Sequence, residues 1–268
     1  MSSIELDFVA LGDGGAVAAV ITLNRPERLN PIDSDMLHAI DEALDDIEAR
    51  NEARAVLVTG AGRAFSAGGD LKGYQQLQRD PVAFPQFVRD LHRVFARLRG
   101  GRLPSIALVN GVAVAGGLEL LLNCDLALAA KSARIGDGHL NFGQMGGGGV
   151  LTLLHRAVGR AKATELMLTG RLLDADEACA WGLVSRVVAD DELMAEGLAL
   201  AALIAVKSPL AVANAKQTMH RIWADNASVD AGLELELAVD AYYCLTSHDA
   251  PEGLAAFADK RAPEFEGR

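Results

Sequence analysis

The chain has 268 residues, half of them hydrophobic and 23% charged, with a formal net charge of −11. That length gives one large domain or two small ones, and the apolar content is enough for a packed core, which excludes an intrinsically disordered chain. The acidic balance removes the attraction on which non-specific nucleic-acid binding depends, so nucleic acid is not an expected partner.

The N-terminal MSSIELDFVA has early acidic residues and no basic stretch leading into an apolar run, so no secretory signal is expected there. Residues 17–23 (VAAVITL) are rich in β-branched residues and run into Asn24-Arg25-Pro26, which predicts a strand and a turn. From Ser34, Leu37, Ile40, Leu44 and Ile47 recur three and four apart, with Asp33 or Ser34 as cap, predicting a helix that ends near Asn51. Residues 55–59 (AVLVT) predict a wholly apolar strand that opens into the glycine-rich loop 60–73. Strand, helix and apolar strand in succession indicate α/β layering. A second helical region covers 81–98, followed by a strand at 105–109 (SIALV), a helix start at 116–123 (GGLELLLN) and a strand at 126–130. Beyond the glycine-rich stretch 136–149, helices are predicted at 150–158, 161–168, 175–181, 190–206, 209–223 and 228–246, so the last third reads as a helical bundle.

The longest apolar stretch, 105–130, contains Asn110, Glu119, Asn123 and Asp125, and no membrane association is expected. Cys124, Cys179 and Cys244 lie far apart with no C-x-x-C spacing, so neither a disulfide framework nor a metal site is expected, and a reducing cytoplasm fits best.

Glycine is over-represented, with 27 in the chain, and more than half of them fall in 60–73, 111–117 and 136–149. A dinucleotide-binding reading of the first loop needs a small residue at position 65, where Phe65 stands. A short-chain dehydrogenase needs glycines at 64 and 66, where Ala64 and Ser66 stand, and a Tyr-x-x-x-Lys pair that does not occur. Ala67-Gly68-Gly69 instead lets a ligand approach the backbone and use its N–H groups as an oxyanion hole does. Gly116, at a predicted helix N-terminus, is placed to donate in the same way. Glu119 falls in that first turn among Leu118 and Leu120–Leu122, a setting that raises a carboxyl pKa and makes it a usable acid or base. Dipole preference alone also accounts for a glutamate there.

The strings ITLNRPERLN, TGAGRAFSAGGDLK, VNGVAVAGGLEL, AVGRAKATELMLTGRLLDADEACAWGLVSRVV and EGLAAFADKR, in this order over nearly the whole chain, resemble the enoyl-CoA hydratase/isomerase (crotonase) superfamily. The resemblance implies an α/β fold, a crotonase-like spiral of β-β-α turns with a C-terminal helical trimerisation region. Residues 1–195 are then the spiral core and 196–268 the helical region, as one functional unit. It implies an acyl-CoA thioester substrate, a homotrimer or homohexamer, and no cofactor beyond the coenzyme A that is part of the substrate. Gly69 and Gly116 correspond to the two oxyanion donors, and Glu119 to the first of the hydratase's two catalytic glutamates. Substrate contacts are expected along Ala67, Gly68, Asp70, Leu71 and Lys72, with Arg25, Arg28, Lys72 and Lys260 as candidate cations for an anionic ligand on an acidic protein.

The second glutamate corresponds to position 139, where His139 stands. Either the histidine takes over the acid/base role, being able to exchange protons near neutral pH, or it is a loop residue whose presence goes with a changed reaction. Asp137 raises its pKa if the two lie close. The glycine run 146–149 offers no acid, which disfavours the dehalogenase-like, dienoyl-isomerase-like and naphthoyl-synthase-like activities. It stands either as a tight or mobile turn or as a widening of the acyl pocket. Hydration of a 2-enoyl-CoA is the activity implied first. The alternatives are an isomerase, decarboxylase or thioester hydrolase on the same fold, or a non-catalytic acyl-CoA binding protein.

Overall fold

Strands that are apolar on both sides need cover on both sides, and the chain supplies it by winding between two sheets. The computed structural model describes residues 2–268. The larger sheet contains β1 (Ile4–Ala10), β2 (Val17–Leu23), β3 (Ala53–Gly60), β5 (Ser105–Val109), β7 (Leu126–Ala130) and β10 (Arg186–Val188), in that spatial order. Its first pair is antiparallel and the rest are parallel. The smaller sheet orders β4 (Ala64–Ser66), β6 (Val112–Val114), β8 (Arg134–Gly136) and β9 (Leu173–Asp174), with only the last pair antiparallel. Successive strands β3 to β8 alternate between the sheets, so each turn of the chain is β-β-α, the expected spiral.

The helices complete the layers. On one face of the large sheet, α1 (Ser34–Glu48), α3 (Ala83–Gly100) and α4 (Gly116–Leu122) pack with Ile21, Val56, Ala107 and Val109. Side chains alternate along a strand. Val20, Leu57, Ile106 and Leu108 therefore face the other way, against Leu193 and Ala201 of α8 (Leu193–Ala205). That helix straddles residue 195 and belongs to the sheet's packing, so the helices that stand clear begin at α9 (Pro209–Ala224) and continue through α10 (Val229–Thr246) and α11 (Asp249–Asp259). No single helix among the described residues is long and apolar enough to cross a membrane.

The predicted strands and long helices form close to their expected positions, with α1 ending at Glu48 rather than near Asn51. α5 (Val150–Val158), α6 (Arg160–Thr169) and α7 (Ala175–Ala180) also form. Six strands were not predicted, β1, β4, β6, β8, β9 and β10, together with α2 (Leu71–Leu77) and α11. Five of those strands have only two or three residues and take their hydrogen-bond partners from distant sequence, so no local periodicity marks them. Two of them, β9 and β10, interrupt the last third, which is less purely helical than expected.

Candidate active site

The glycine-rich loop after β3 is held by Asn30, a fully buried residue whose amide donates to the carbonyls of Ala61 (3.0 Å), Ala64 (2.8 Å) and Phe65 (3.2 Å). Further along the loop the Ala67 N–H donates to the Leu29 carbonyl (2.9 Å), and the Gly68 N–H to the Ser66 hydroxyl (3.2 Å). Both amides are thus spent inside the protein, and Gly68 does not line the cavity described below, which corrects its expected place among the substrate contacts. Among the described residues the Gly69 N–H donates to no hydrogen bond. The Gly116 N–H, first in α4, has no intrahelical partner either.

The two free amides are brought together by close backbone approach. A Cβ on Gly68, whose φ is +92°, would stand 2.8 Å from the Ala115 Cβ and 3.2 Å from the Gly116 nitrogen. Only glycine permits that contact and that backbone conformation together. Ala115 itself sits at φ 52°, ψ −117°, a strained conformation for a residue with a side chain, and its N–H donates to the Asp137 carbonyl at 2.8 Å.

Glu119 lies one turn into α4 and is 1% exposed. Its Oε1 accepts from the backbone N–H groups of Gly148 (2.7 Å), Gly147 (3.1 Å) and Val150 (3.3 Å). This gives the glycine run a purpose that neither expectation supplied: a Cβ on Gly148 would stand 2.6 Å from Glu119 Oε2, and one on Gly146 would meet Val150 Cγ1 at 2.6 Å. Without side chains, the run can fold its amides onto the carboxylate. Burial pushes the Glu119 pKa up, and the nearby His139 and the Val150 and Gly148 amides oppose that without cancelling it.

His139 opens a short 3-10 turn after β8, between Gly138 at φ 66° and Gly143 at φ 67°. Its Nε2 lies 3.9 Å from Glu119 Oε2, and its Nδ1 lies 2.6 Å from Asp137 Oδ1. Burial by itself lowers the imidazole pKa, but the Asp137 hydrogen bond and the charges of Glu119 and Asp137 outweigh it, and the net shift is upward.

These groups face one cavity of about 910 Å³. Ala67, Gly69, Asp70, Leu71 and Lys72 line it on one side, Gly116, Glu119 and His139 on another, with Arg28 at the mouth. Sequence reasoning missed its apolar wall: Tyr74 of α2 and Phe84, Phe87, Val88 and Leu91 of α3, with Phe142 and Met145 opposite. Tyr74 meets Phe84 and Phe87 edge-on, at ring-centroid distances of 5.5 and 5.7 Å. The α3 residues are visible in the sequence, but only as a helix face that packs; α2 is seven residues long with a glycine inside, and Leu71, Tyr74 and Leu77 are too short a run to mark it as a helix. Across the mouth, the Gln78 amide donates to the Gln144 side-chain oxygen at 2.7 Å.

The candidate cations divide. Arg25 is not available to a ligand, because its guanidinium is bound to Asp33 (2.6 and 2.7 Å) and the Pro31 carbonyl (2.6 Å). Arg28 pairs with Asp70 at 2.7 Å, and that hydrogen bond holds the Asp70 carboxyl below the usual carboxylate range. Lys72 is exposed at the cavity rim. Lys260 does not line the cavity of its own chain; it closes α11 as a left-handed cap residue at φ 56°.

Residues 13–268 match the family model described as enoyl-CoA hydratase/isomerase. The probable enoyl-CoA hydratase of Mycobacterium leprae is 38% identical over 258 residues, covering 96% of this chain and 98% of that protein. The short-chain-enoyl-CoA hydratase of Clostridium acetobutylicum is 35% identical over 262 residues, covering 97% of this chain and 98% of that protein. A solved enoyl-CoA hydratase structure from Bacillus anthracis superposes with a TM-score of 0.91 at 31% identity, over 99% of this chain and all of that one.

Proposed function

The chain belongs to the enoyl-CoA hydratase/isomerase family, and from that premise we propose that it is an enoyl-CoA hydratase, a hydro-lyase that adds water to a 2-enoyl-CoA thioester. One observation carries this reading: a buried carboxylate whose Oε1 takes three backbone hydrogen bonds and whose Oε2 lies 3.9 Å from an imidazole nitrogen, in the cavity lined by Gly69 and Gly116.

The thioester carbonyl accepts from the Gly69 and Gly116 amides, which stabilise the charge that develops on oxygen as the enolate forms. Such donors are worth about 10² to 10³ in rate each. Oε1 of Glu119 is occupied, so Oε2 is the oxygen that takes a proton from water as the hydroxide oxygen bonds to Cβ and the double-bond electrons move to the carbonyl oxygen. Protonated His139 delivers the proton from Nε2 to Cα as the enolate collapses. The proton on Glu119 then passes to His139, so one water is consumed and the site returns to its starting state. The coenzyme A moiety is the handle on the substrate, and Arg28 and Lys72 at the mouth are the cations placed to meet its phosphates.

The pKa directions fix the pH dependence. A raised Glu119 pKa means that base activity is lost as pH falls through a value above its ordinary one. A raised His139 pKa means that the proton donor is lost only as pH rises through a value above the ordinary ~6.5. The expected rate profile is a bell whose two limbs both lie above the ordinary values of the free groups. Mixing the protein with crotonyl-CoA and following the loss of conjugated-thioester absorbance tests the reading. Glu119→Gln is expected to lower kcat by about 10² to 10⁴-fold, the range of general acid–base contributions. No absorbance loss with the wild type at high enzyme concentration overturns hydration.

The assembly belongs to the same proposal. Val229, Leu233, Leu237 and Leu245 of α10, with Leu254 and Phe257 of α11, are exposed in the single chain. An apolar surface of this extent on the helices clear of the sheet supports a homotrimer, alone or doubled into a hexamer.

A further inference from the structure

Asp137 is used by none of the steps above, yet it is buried, with its side chain only 3% exposed. Among the described residues its carboxylate has one hydrogen-bond partner, His139 Nδ1 at 2.6 Å. A buried carboxylate is costly unless it is paired, and this one has no backbone amides to hold it, in contrast to Glu119. A carboxylate only accepts, so as its partner the ring would donate from Nδ1. Nε2 is then the atom left to face Glu119 Oε2 across 3.9 Å. Asp137 is fixed in turn by its own backbone, whose carbonyl takes the Ala115 N–H at 2.8 Å, the link that also sets the start of α4.

We propose that Asp137 is a positioning residue of the reaction: by accepting the Nδ1–H of His139 it selects the ring tautomer and aims Nε2 between Glu119 and the substrate's Cα. The inference rests on the reading of His139 as the proton donor. The charged groups that act on the ring are Asp137 and, from α4, Glu119, both anionic partners for an imidazolium. From α2 the Tyr74 phenol faces Glu119, and burial and that carboxylate push its pKa up, so it adds no charge near neutrality. The site thus replaces a second carboxylate by a cation held between two carboxylates.

The test uses full-length wild type, Asp137→Asn and Asp137→Glu, with His139→Ala to assign the ring signals. Imidazole ¹⁵N spectra across pH report the tautomer and the titration of His139 directly. The neutral wild-type ring is expected as the Nδ1–H tautomer. In Asp137→Asn the alkaline limb of kcat for crotonyl-CoA should move to lower pH together with the His139 titration. kcat should fall about 10²-fold, the upper end of what losing an orienting carboxylate behind a histidine costs. KM should hold within about twofold, and Asp137→Glu should restore part of the loss. A merely structural role would not move the limb and the titration together. An unchanged tautomer and limb in Asp137→Asn overturns the proposal. Should that variant fail to fold, the wild-type spectrum decides, since an Nε2–H neutral tautomer overturns it as well. If the wild type fails to hydrate crotonyl-CoA, the hydratase reading falls, and the spectra still decide whether Asp137 sets the tautomer of His139.

Discussion

Gly148 shows how little room the proposed base has. A methyl group there would stand 2.6 Å from Glu119 Oε2, 2.9 Å from its Cδ and 3.0 Å from Leu91 Cδ2, so the carboxylate or the loop has to shift. Displacements of about 1 Å at a reacting group cost on the order of 10²-fold. Gly148→Ala is therefore expected to lower kcat by about that factor. Gly147→Ala, which meets only the Val88 methyls at 3.6 and 3.7 Å, should stay within about threefold of wild type. Steady-state rates for the pair check this, and equal losses would show that the run as a whole, rather than the space beside Glu119, sets the geometry. At this scale the sequence was legible where a residue's own chemistry and neighbours said enough, as for Glu119 among leucines. For Asp137 the effect on His139 was legible only on condition of closeness, which the 2.6 Å contact supplies, and nothing was legible of the role of the glycines at 146–149, whose partner is 27 or more positions away.

Elements position these residues, and one buried lysine joins several of them. Lys216 of α9 is 6% exposed; its ammonium donates to the carbonyls of Leu98 (2.7 Å) and Leu103 (2.6 Å) and pairs with Asp125 at 2.8 Å. Asp125 also accepts from the Ser105 N–H (2.7 Å) and hydroxyl (2.8 Å). One cation therefore ties α9 to the end of α3, the start of β5 and the turn before β7. Lys216→Met leaves the Leu98 and Leu103 carbonyls without their donor and removes the cation from Asp125, whose side chain is 26% exposed and keeps the Ser105 hydrogen bonds, a loss of about 1 to 3 kcal/mol. Urea unfolding of the variant should show this as a lower midpoint, and a midpoint equal to wild type would mean that solvent replaces the ammonium. Long elements such as α1, α3 and β5 were readable because each carries its own apolar period. Short ones such as β4, β6 and β8 exist only because the spiral brings them side by side, and α2 declares itself only as a wall of the cavity. The apolar faces of α3 were seen, but a face that packs and a face that lines a cavity look alike in sequence.

For the whole molecule, the unburied surface is as informative as the core. Leu245 is 84% exposed and Phe257 is 86% exposed, on two of the three helices that stand clear of the large sheet. If three chains of 28.2 kDa assemble, light scattering after size exclusion should report about 85 kDa, or twice that for a hexamer. Leu237→Glu, on the same exposed stripe of α10, should shift the protein toward the mass of a single chain. A wild type that elutes at 28.2 kDa at micromolar concentration would refute the assembly.

The approach of the Gly69 loop to the start of α4 has a consequence for how such a chain can change over generations. The two donors proposed to hold the thioester are main-chain N–H groups, and apart from proline no substitution deletes a main-chain N–H. Point mutations at 119, 137 and 139 therefore alter where protons go while the grip on the carbonyl persists. A lineage carrying this scaffold can sample new reactions without first losing its substrate, because what activates the thioester and what chooses the reaction are inherited separately.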